Sequence, residues 1–191
     1  MFLPNQISIT AQSGVGSSTL MTILKQRFEG LPYRFISGGG IMRAKARELG
    51  FPNIEAFATY NREHPEARHD VECDMMISKF AEHDYVICEG RLPHAFMPCA
   101  FHVLLVCDIE VRANRRQGDF PNLSKGATHT SILKRDDDDE ARYGKLYPGT
   151  NWPQTDFDLV VDTAAHSKRG VSYLVLDGHC AWLIKKGLKS V

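Results

Sequence analysis

The chain predicts an α/β fold of three layers, a five-stranded parallel sheet with helices on both faces, and three observations carry that expectation. Short apolar runs alternate with segments of helical periodicity along its 191 residues, the pattern of strand–helix–strand units with parallel strands. Glycine-rich turns and carboxylates follow these runs, at Gly14 and Gly16, at Gly38–Gly40, at Glu89 and at Asp108. An open α/β sheet gathers its ligands there, outside the carboxyl ends of its strands. The apolar content, 43%, is ample for one core, so residues 1–191 read as a single domain.

Each element follows from the local pattern. Ile7-Ser8-Ile9-Thr10-Ala11 suits a buried strand at about 6–11. Leu20, Ile23, Leu24 and Phe28 then recur at helical spacing. A second strand at about 33–37 runs into Gly38-Gly39-Gly40 and a helical pattern at 41–49. Residues 53–63 and 67–83 suit two more helices, the latter with Val71, Met75, Ile77, Phe80 and Ala81 as its apolar face. Strands at about 85–89 and 102–107 end at Glu89 and Asp108. Residues 117–130, with Gly, Pro, Asn, Ser and Thr, read as a mobile loop. A charged helix at about 131–147 is stopped by Pro148-Gly149. A last strand at about 158–162 leads to a C-terminal helix at 168–188, with Leu174, Leu176, Trp182 and Leu183 inside.

Composition narrows the function classes. The 23 basic and 23 acidic residues cancel, which gives no overall pull toward nucleic acid or an anionic membrane. The N-terminus lacks a basic stretch followed by an apolar one, and no run approaches the length of a membrane span. A cytoplasmic protein with neither nucleic acid nor membrane as partner is expected. The five cysteines show no paired spacing, and Cys88 and Cys107 fall inside strand-like runs, as core thiols of a reducing compartment do. The eight histidines form no H-x-x-x-H pair, and no G-x-S-x-G elbow is present, which disfavours zinc and hydrolase chemistry.

Three constellations could carry chemistry. Residues 11–19, AQSGVGSST, lie between a strand and a helix, where main-chain N–H groups can wrap a phosphate chain. They match the G-x-x-x-x-G-K-[ST] loop at Gly16 and Ser18, but Ala11 takes the place of its first glycine and Ser17 that of its lysine. Main-chain dipoles do the cradling and survive those changes; the point charge does not. Similar turns also occur in α/β proteins that bind nothing there. Glu89-Gly90-Arg91 ends the third strand, and a carboxylate and a guanidinium so placed suit a hydrated Mg²⁺ and a phosphate, or else a plain salt bridge. Arg135 and Arg142, seven residues apart, share one helix face. With Asp139 and Asp138 they form i,i+4 pairs, which fits a solvated surface helix or a lid whose arginines meet a phosphoryl group.

Taken in order, these segments resemble the cytidylate kinase-like family of nucleoside monophosphate kinases over nearly the whole chain. Ile7–Thr19 resembles its nucleotide loop, and Ile36-Ser37-Gly38-Gly39-Gly40-Ile41-Met42-Arg43 its I-S-A-G-D-[IL]-F-R segment. Asp70 and Asp74 have its D-x-x-x-D spacing, and Val86–Leu92 resembles V-[IV]-x-E-G-R-L. Glu110–Arg115 resembles E-V-R-A-x-R. Arg135, Asp139, Arg142, Tyr143 and Tyr147 fit R-x-x-x-E-x-x-R-Y-x-x-x-Y with Asp for Glu, and Phe157–Thr163 resembles its D-L-V-[IV]-[ND]-T ending.

The resemblance implies a P-loop kinase fold with acceptor-binding helices at about 38–83 and a lid at about 117–150. It implies ATP and Mg²⁺ as cofactors, with Ser13, Gly14, Val15, Gly16, Ser17, Ser18 and Thr19 on the nucleotide and Ser18 on the metal. Arg43, Arg91, Asp70 and Asp74 would bind the acceptor, and Arg135, Arg142 and Glu89 would be catalytic. A nucleoside monophosphate, CMP or dCMP, is the implied acceptor. Gly40, where the family has an acid, leaves another small-molecule acceptor open. Ser17 leaves open a nucleotide-binding sensor or scaffold without turnover, unless Lys145 or Lys25 supplies the missing charge.

Overall fold

β1 (Asn5–Ala11) is buried along its whole length because it is paired on both sides. It runs parallel to β3 (Tyr85–Gly90), with Ile7 beside Ile87, and to β4 (Phe101–Val106), with Ile9 beside Val103. β2 (Arg34–Ser37) and β5 (Leu159–Asp162) extend the sheet outward, giving the order β2-β3-β1-β4-β5 with every pairing parallel. These elements belong to a computed structural model that describes residues 5–118, 124–148 and 156–187.

The two-residue alternation of strand side chains builds two apolar layers. On one face Ile7, Ile9, Ile87, Val103, Leu105 and Val161 pack against Leu20 and Leu24 of α1 (Ser17–Arg27) and Val171 and Val175 of α8 (Lys168–Lys185). On the other, Val86 and Cys88 pack against Ile77 of α4 (His69–Phe80), Met97 and Ala100. The buried Ser8 and Thr10 on that face are matched by ring nitrogens, His102 Nδ1 at 2.7 Å and His94 Nδ1 at 2.8 Å. The remaining helices are α2 (Gly38–Glu48), α3 (Ile54–Glu63), α5 (Pro93–Phe96), α6 (Ile109–Gln117) and α7 (Lys125–Leu146).

The structure corrects several expectations. The helix expected at 67–83 is a 3-10 turn, Pro65–Ala67, then α4, separated by Arg68 at φ 53. Its inward face is Asp70, Cys73 and Ile77. Met75 is 49% exposed and, with Val71 and Phe80, borders a groove of about 730 Å³ between α2 and α4. The loop expected to 130 ends at Ser124, whose Oγ accepts from Ala127 N at 3.2 Å and starts α7 there. Turn-type residues at 124–130 are thus a cap and a first helical turn; residues 119–123 lie outside those described, as does Gly149. Asp108 is likewise a helix cap, accepting from Glu110 N at 2.8 Å to start α6. In α8 Val171, Ser172, Val175, His179 and Leu183 are buried and Leu176 and Trp182 pack half-buried against the core, while Leu174 is 38% exposed. Cys107 is half-buried rather than core, and all five cysteines are free. Among the described residues no helix is long and apolar enough to cross a membrane.

Candidate phosphate-binding site

The loop after β1 lies at the carboxyl edge of the central strand. Gly14 and Gly16 hold φ values of 83° and 99°, and Gly16 caps α1 with no side-chain hydrogen bond. Such backbone favours glycine, and the N–H groups of the first turn of α1 stay open to an anion. Ser18 and Thr19 are exposed at that turn. A Cβ on Gly14 would lie 3.1 Å from the Arg112 carbonyl oxygen and 3.1 Å from Arg116 Cγ. Gly14→Ala is expected to push the loop off α6 and to cost about 1–3 kcal/mol in a denaturant titration, positive φ being part of that cost.

Arginines surround this loop. Arg112 of α6, 4% exposed, donates to the Ser13 carbonyl at 2.7 Å, to Gln12 Oε1 at 3.2 Å and to Asp136 at 2.5 Å. Arg115 reaches the Val15 carbonyl, Arg91 the Ala11 carbonyl. Arg91 Nε also meets Asp139 at 2.7 Å, and Asp139 meets Arg142 Nη2 at 3.0 Å. Arg142 Nη1 ends on Asp70 at 3.1 Å, and Asn61 Nδ2 donates to the same Asp70 oxygen at 3.2 Å. Asp139 therefore bridges Arg91 and Arg142, and the expected i,i+4 surface pairs do not form. Arg135 stays exposed and forms no ion pair among the described residues. Desolvation lowers its pKa, and so does the positive charge of Arg91 and Arg116, against Asp139.

Glu89, at the end of β3, accepts from Ser37 Oγ at 2.6 Å, and Ser37 Oγ accepts from Gly40 N at 3.1 Å as the cap of α2. Ser18, Ser37, Glu89 and Lys25 line one cavity of about 160 Å³. The Ser18 hydroxyl and the Glu89 carboxylate on one small cavity, which Met21, Phe35 and Ile36 also line, suit Mg²⁺, which takes few protein oxygens and keeps its waters. Among the described residues no group of three His, Cys, Asp or Glu side chains could hold a metal. Arg43 folds back over the start of α2, where a Cβ on Gly39 would lie 3.2 Å from its Nη1.

Asp74 accepts from Tyr147 OH at 2.7 Å. Burial pushes its pKa up to about 6, the Tyr147 hydrogen bond and the Arg142 charge working against that and Asp70 adding to it. As pH rises from about 4 to about 6, the unfolded chain releases this proton while the folded protein keeps it. The stability contributed by Asp74 is therefore present at low pH and lost across that window. Asp74→Asn, which can still accept from Tyr147, is expected to melt above the parent at pH 7.5. The gap should close by pH 4 in a thermal-melt series.

Sequence reasoning gave no role to Asn61, Arg116, Asp136 or Thr163. The run Glu110-Val111-Arg112-Ala113-Asn114-Arg115 marked α6 as charged, but which arginine turns toward the loop depends on how α6 packs.

The parallel sheet of order β2-β3-β1-β4-β5, with a glycine-rich loop joining its central strand to α1, defines the class: this is a P-loop kinase fold. Shikimate kinase from Aquifex aeolicus superposes with a TM-score of 0.56 at 14% identity, over 91% of this chain and 95% of that one. Residues 6–165 match the cytidylate kinase-like family, and the chain belongs to it. It is 30% identical over 173 residues to the cytidylate kinase of Pyrococcus abyssi, covering 88% of this chain and 90% of that protein. To the cytidylate kinase of Archaeoglobus fulgidus it is 29% identical over 178 residues, 90% of this chain and 92% of that one.

Proposed function

We propose that the protein transfers the γ-phosphoryl group of ATP to a nucleoside monophosphate, with CMP or dCMP as the acceptor. The observation that carries this reading is the gathering of Arg91, Arg112, Arg115 and Arg116 against the Gly14–Gly16 loop at the carboxyl end of the sheet. Like charges held together cost free energy that a polyphosphate relieves. Family membership and the cytidylate kinase relatives support the nucleotide acceptor.

In this reading the main chain of Ser13–Thr19 cradles the polyphosphate, and the Ser18 hydroxyl and Glu89 are the oxygen donors for Mg²⁺. Held there, Mg²⁺ would supply charge neutralisation to the polyphosphate. Arg43 and Arg91 hold the acceptor phosphate, and Asp70 and Asp74 face the rest of the acceptor. α7 is the lid, and Arg135 and Arg142 neutralise the group in transfer. The lid carboxylates Asp136 and Asp139 occupy arginines that phosphate would claim, so substrate entry exchanges one anion for another. Since such catalysis is positioning and charge, no covalent intermediate is needed.

The test is a coupled ADP-release assay over the common nucleoside monophosphates and several polyol phosphoryl acceptors, with calorimetry for Mg·ATP alongside. Turnover with CMP or dCMP above all others is expected. Tight Mg·ATP binding without turnover would select a nucleotide sensor, the reading that Ser17 favours. Turnover with a polyol alone would select the other-acceptor reading that Gly40 favours.

A further inference from the structure

Two carbonyl oxygens of the phosphate loop are held from outside it. The Ser13 carbonyl accepts from Arg112 Nε at 2.7 Å. The Val15 carbonyl accepts from Thr163 Oγ1 at 2.7 Å and from Arg115 Nη1 at 3.2 Å. Thr163, just beyond β5, is 5% exposed, and Val15 is fully buried. Arg115 Nη1 also donates to Thr163 Oγ1 at 2.9 Å, and its Nη2 donates to the Thr163 carbonyl at 2.8 Å. A guanidinium has no acceptor. The Thr163 hydroxyl must therefore accept from Arg115, which leaves its own proton for the Val15 carbonyl.

A trans peptide is planar, so its C=O and the next N–H point in opposite directions. Holding the Val15 oxygen against Thr163 and Arg115 turns the Gly16 N–H to the other side. Arg112 does the same for the Ser13–Gly14 peptide. Both N–H groups belong to glycines at positive φ, where no Cβ opposes a peptide flip. A flipped Val15–Gly16 peptide would present a carbonyl oxygen to a polyphosphate and repel it. Gly16 has no side-chain cap, and Ser17 offers no long side chain to brace the loop from within.

We infer that Thr163 and Arg115 are positioning residues that fix the Val15–Gly16 peptide and so aim the Gly16 N–H at the polyphosphate, without touching it themselves. This rests on the reading of the loop as a phosphate site. It gives the D-T ending of the last strand a task, and it separates Arg115 of α6 from Arg135 of α7 by role. Arg115 has its donors on Val15 and Thr163, whereas Arg135 keeps its own free of ion pairs among the described residues.

The test compares Thr163→Val, of similar shape without the hydroxyl, with Thr163→Ser, which keeps it. Amide resonances of Gly14 and Gly16 in ¹⁵N-labelled protein report the peptides directly, and calorimetry with Mg·ATP and with pyrophosphate reports binding. Thr163→Val is expected to shift the Gly16 amide, leave that of Gly14 in place and weaken both ligands about fivefold to tenfold. The nucleotide KM should rise with it while the acceptor KM stays within about twofold, and Thr163→Ser should restore both readouts. Arg115→Gln, which removes the guanidinium from Val15 and Thr163, tests the same clamp should Thr163→Val fail to fold, with a smaller shift of the Gly16 amide and a smaller loss of binding expected. A wild-type protein that binds neither ATP nor pyrophosphate overturns the kinase reading and this inference together. Wild-type binding that both variants leave intact, with the Gly16 amide unmoved, overturns this inference alone.

Discussion

Arg142→Ala is expected to lower turnover on the order of a thousandfold while Mg·ATP affinity changes by no more than a few fold, the loss typical of an arginine that meets a transferring phosphoryl group. Burial works against the Arg142 cation, but Tyr143, Asp70, Asp139 and Asp74 around it raise its pKa, so it keeps its charge through any working pH. Its two terminal nitrogens fork onto Asp70 at 3.1 Å and Asp139 at 3.0 Å, and the second also donates to Tyr143 OH at 2.8 Å. The truncation also leaves Asp70, 8% exposed, with Asn61 as its remaining partner at 3.2 Å, which should cost about 1–3 kcal/mol of stability. Chemical denaturation separates that loss from the catalytic one. Arg142→Lys restores a charge but not the fork, so it should recover stability more fully than rate. If Arg142→Ala turns over within about threefold of the parent in single-turnover kinetics, the guanidinium is a structural tie between α7 and α4 and nothing more.

The sheet was legible because its signal is local. β1, β3 and β4 read as apolar runs, and their burial comes from pairing that a parallel sheet requires. The α7 start was not legible, because Ser124, Gly126 and Thr128 are turn formers by composition and become a cap and first turn only once Ser124 accepts from Ala127 N. Part of the α4 face was misread for a related reason, although Ile77 and Ala81 do pack inward. Met75 and Phe80 look like core by hydropathy, but the helix turns Asp70 inward to meet Arg142 and Asn61, a charge pairing that no periodicity reports. Of the proposed site residues, Glu89 and Arg91 could be picked out from residue type and strand-end position, and Arg135 and Arg142 from their seven-residue spacing on one helix. Thr163 could not. It lies 148 residues along the chain from the Val15 carbonyl it holds, and only the sheet order, which carries β5 to one side of β4, relates the two.

Ser17→Lys is expected to raise Mg·ATP affinity, turnover or both by about tenfold or more, because the three arginines that touch the loop, Arg91, Arg112 and Arg115, are already engaged on its carbonyls. Arg91 donates to the Ala11 carbonyl and Asp139, Arg112 to the Ser13 carbonyl, Gln12 and Asp136, and Arg115 to Val15 and Thr163. Lys145 does not replace the lost lysine in this structure. It stands nine residues beyond Asp136 on α7, about 13.5 Å along the axis, toward the end where Tyr147 meets Asp74. Lys25 is better placed, on the cavity it shares with Ser18 and Glu89, though its Nζ rests 5.8 Å from the centre of the Phe35 ring. A lysine at position 17 opens α1, where the helix dipole opposes it by about 0.3–1 kcal/mol. An ammonium on the β- and γ-phosphates should exceed that, since 1.4 kcal/mol already amounts to a factor of ten. Lys25→Ala in the natural background should cost less than about threefold. The opposite pair of results, no gain from Ser17→Lys and a large loss from Lys25→Ala, would mean that Lys25 swings off Phe35 when nucleotide binds and has taken over the lysine's place.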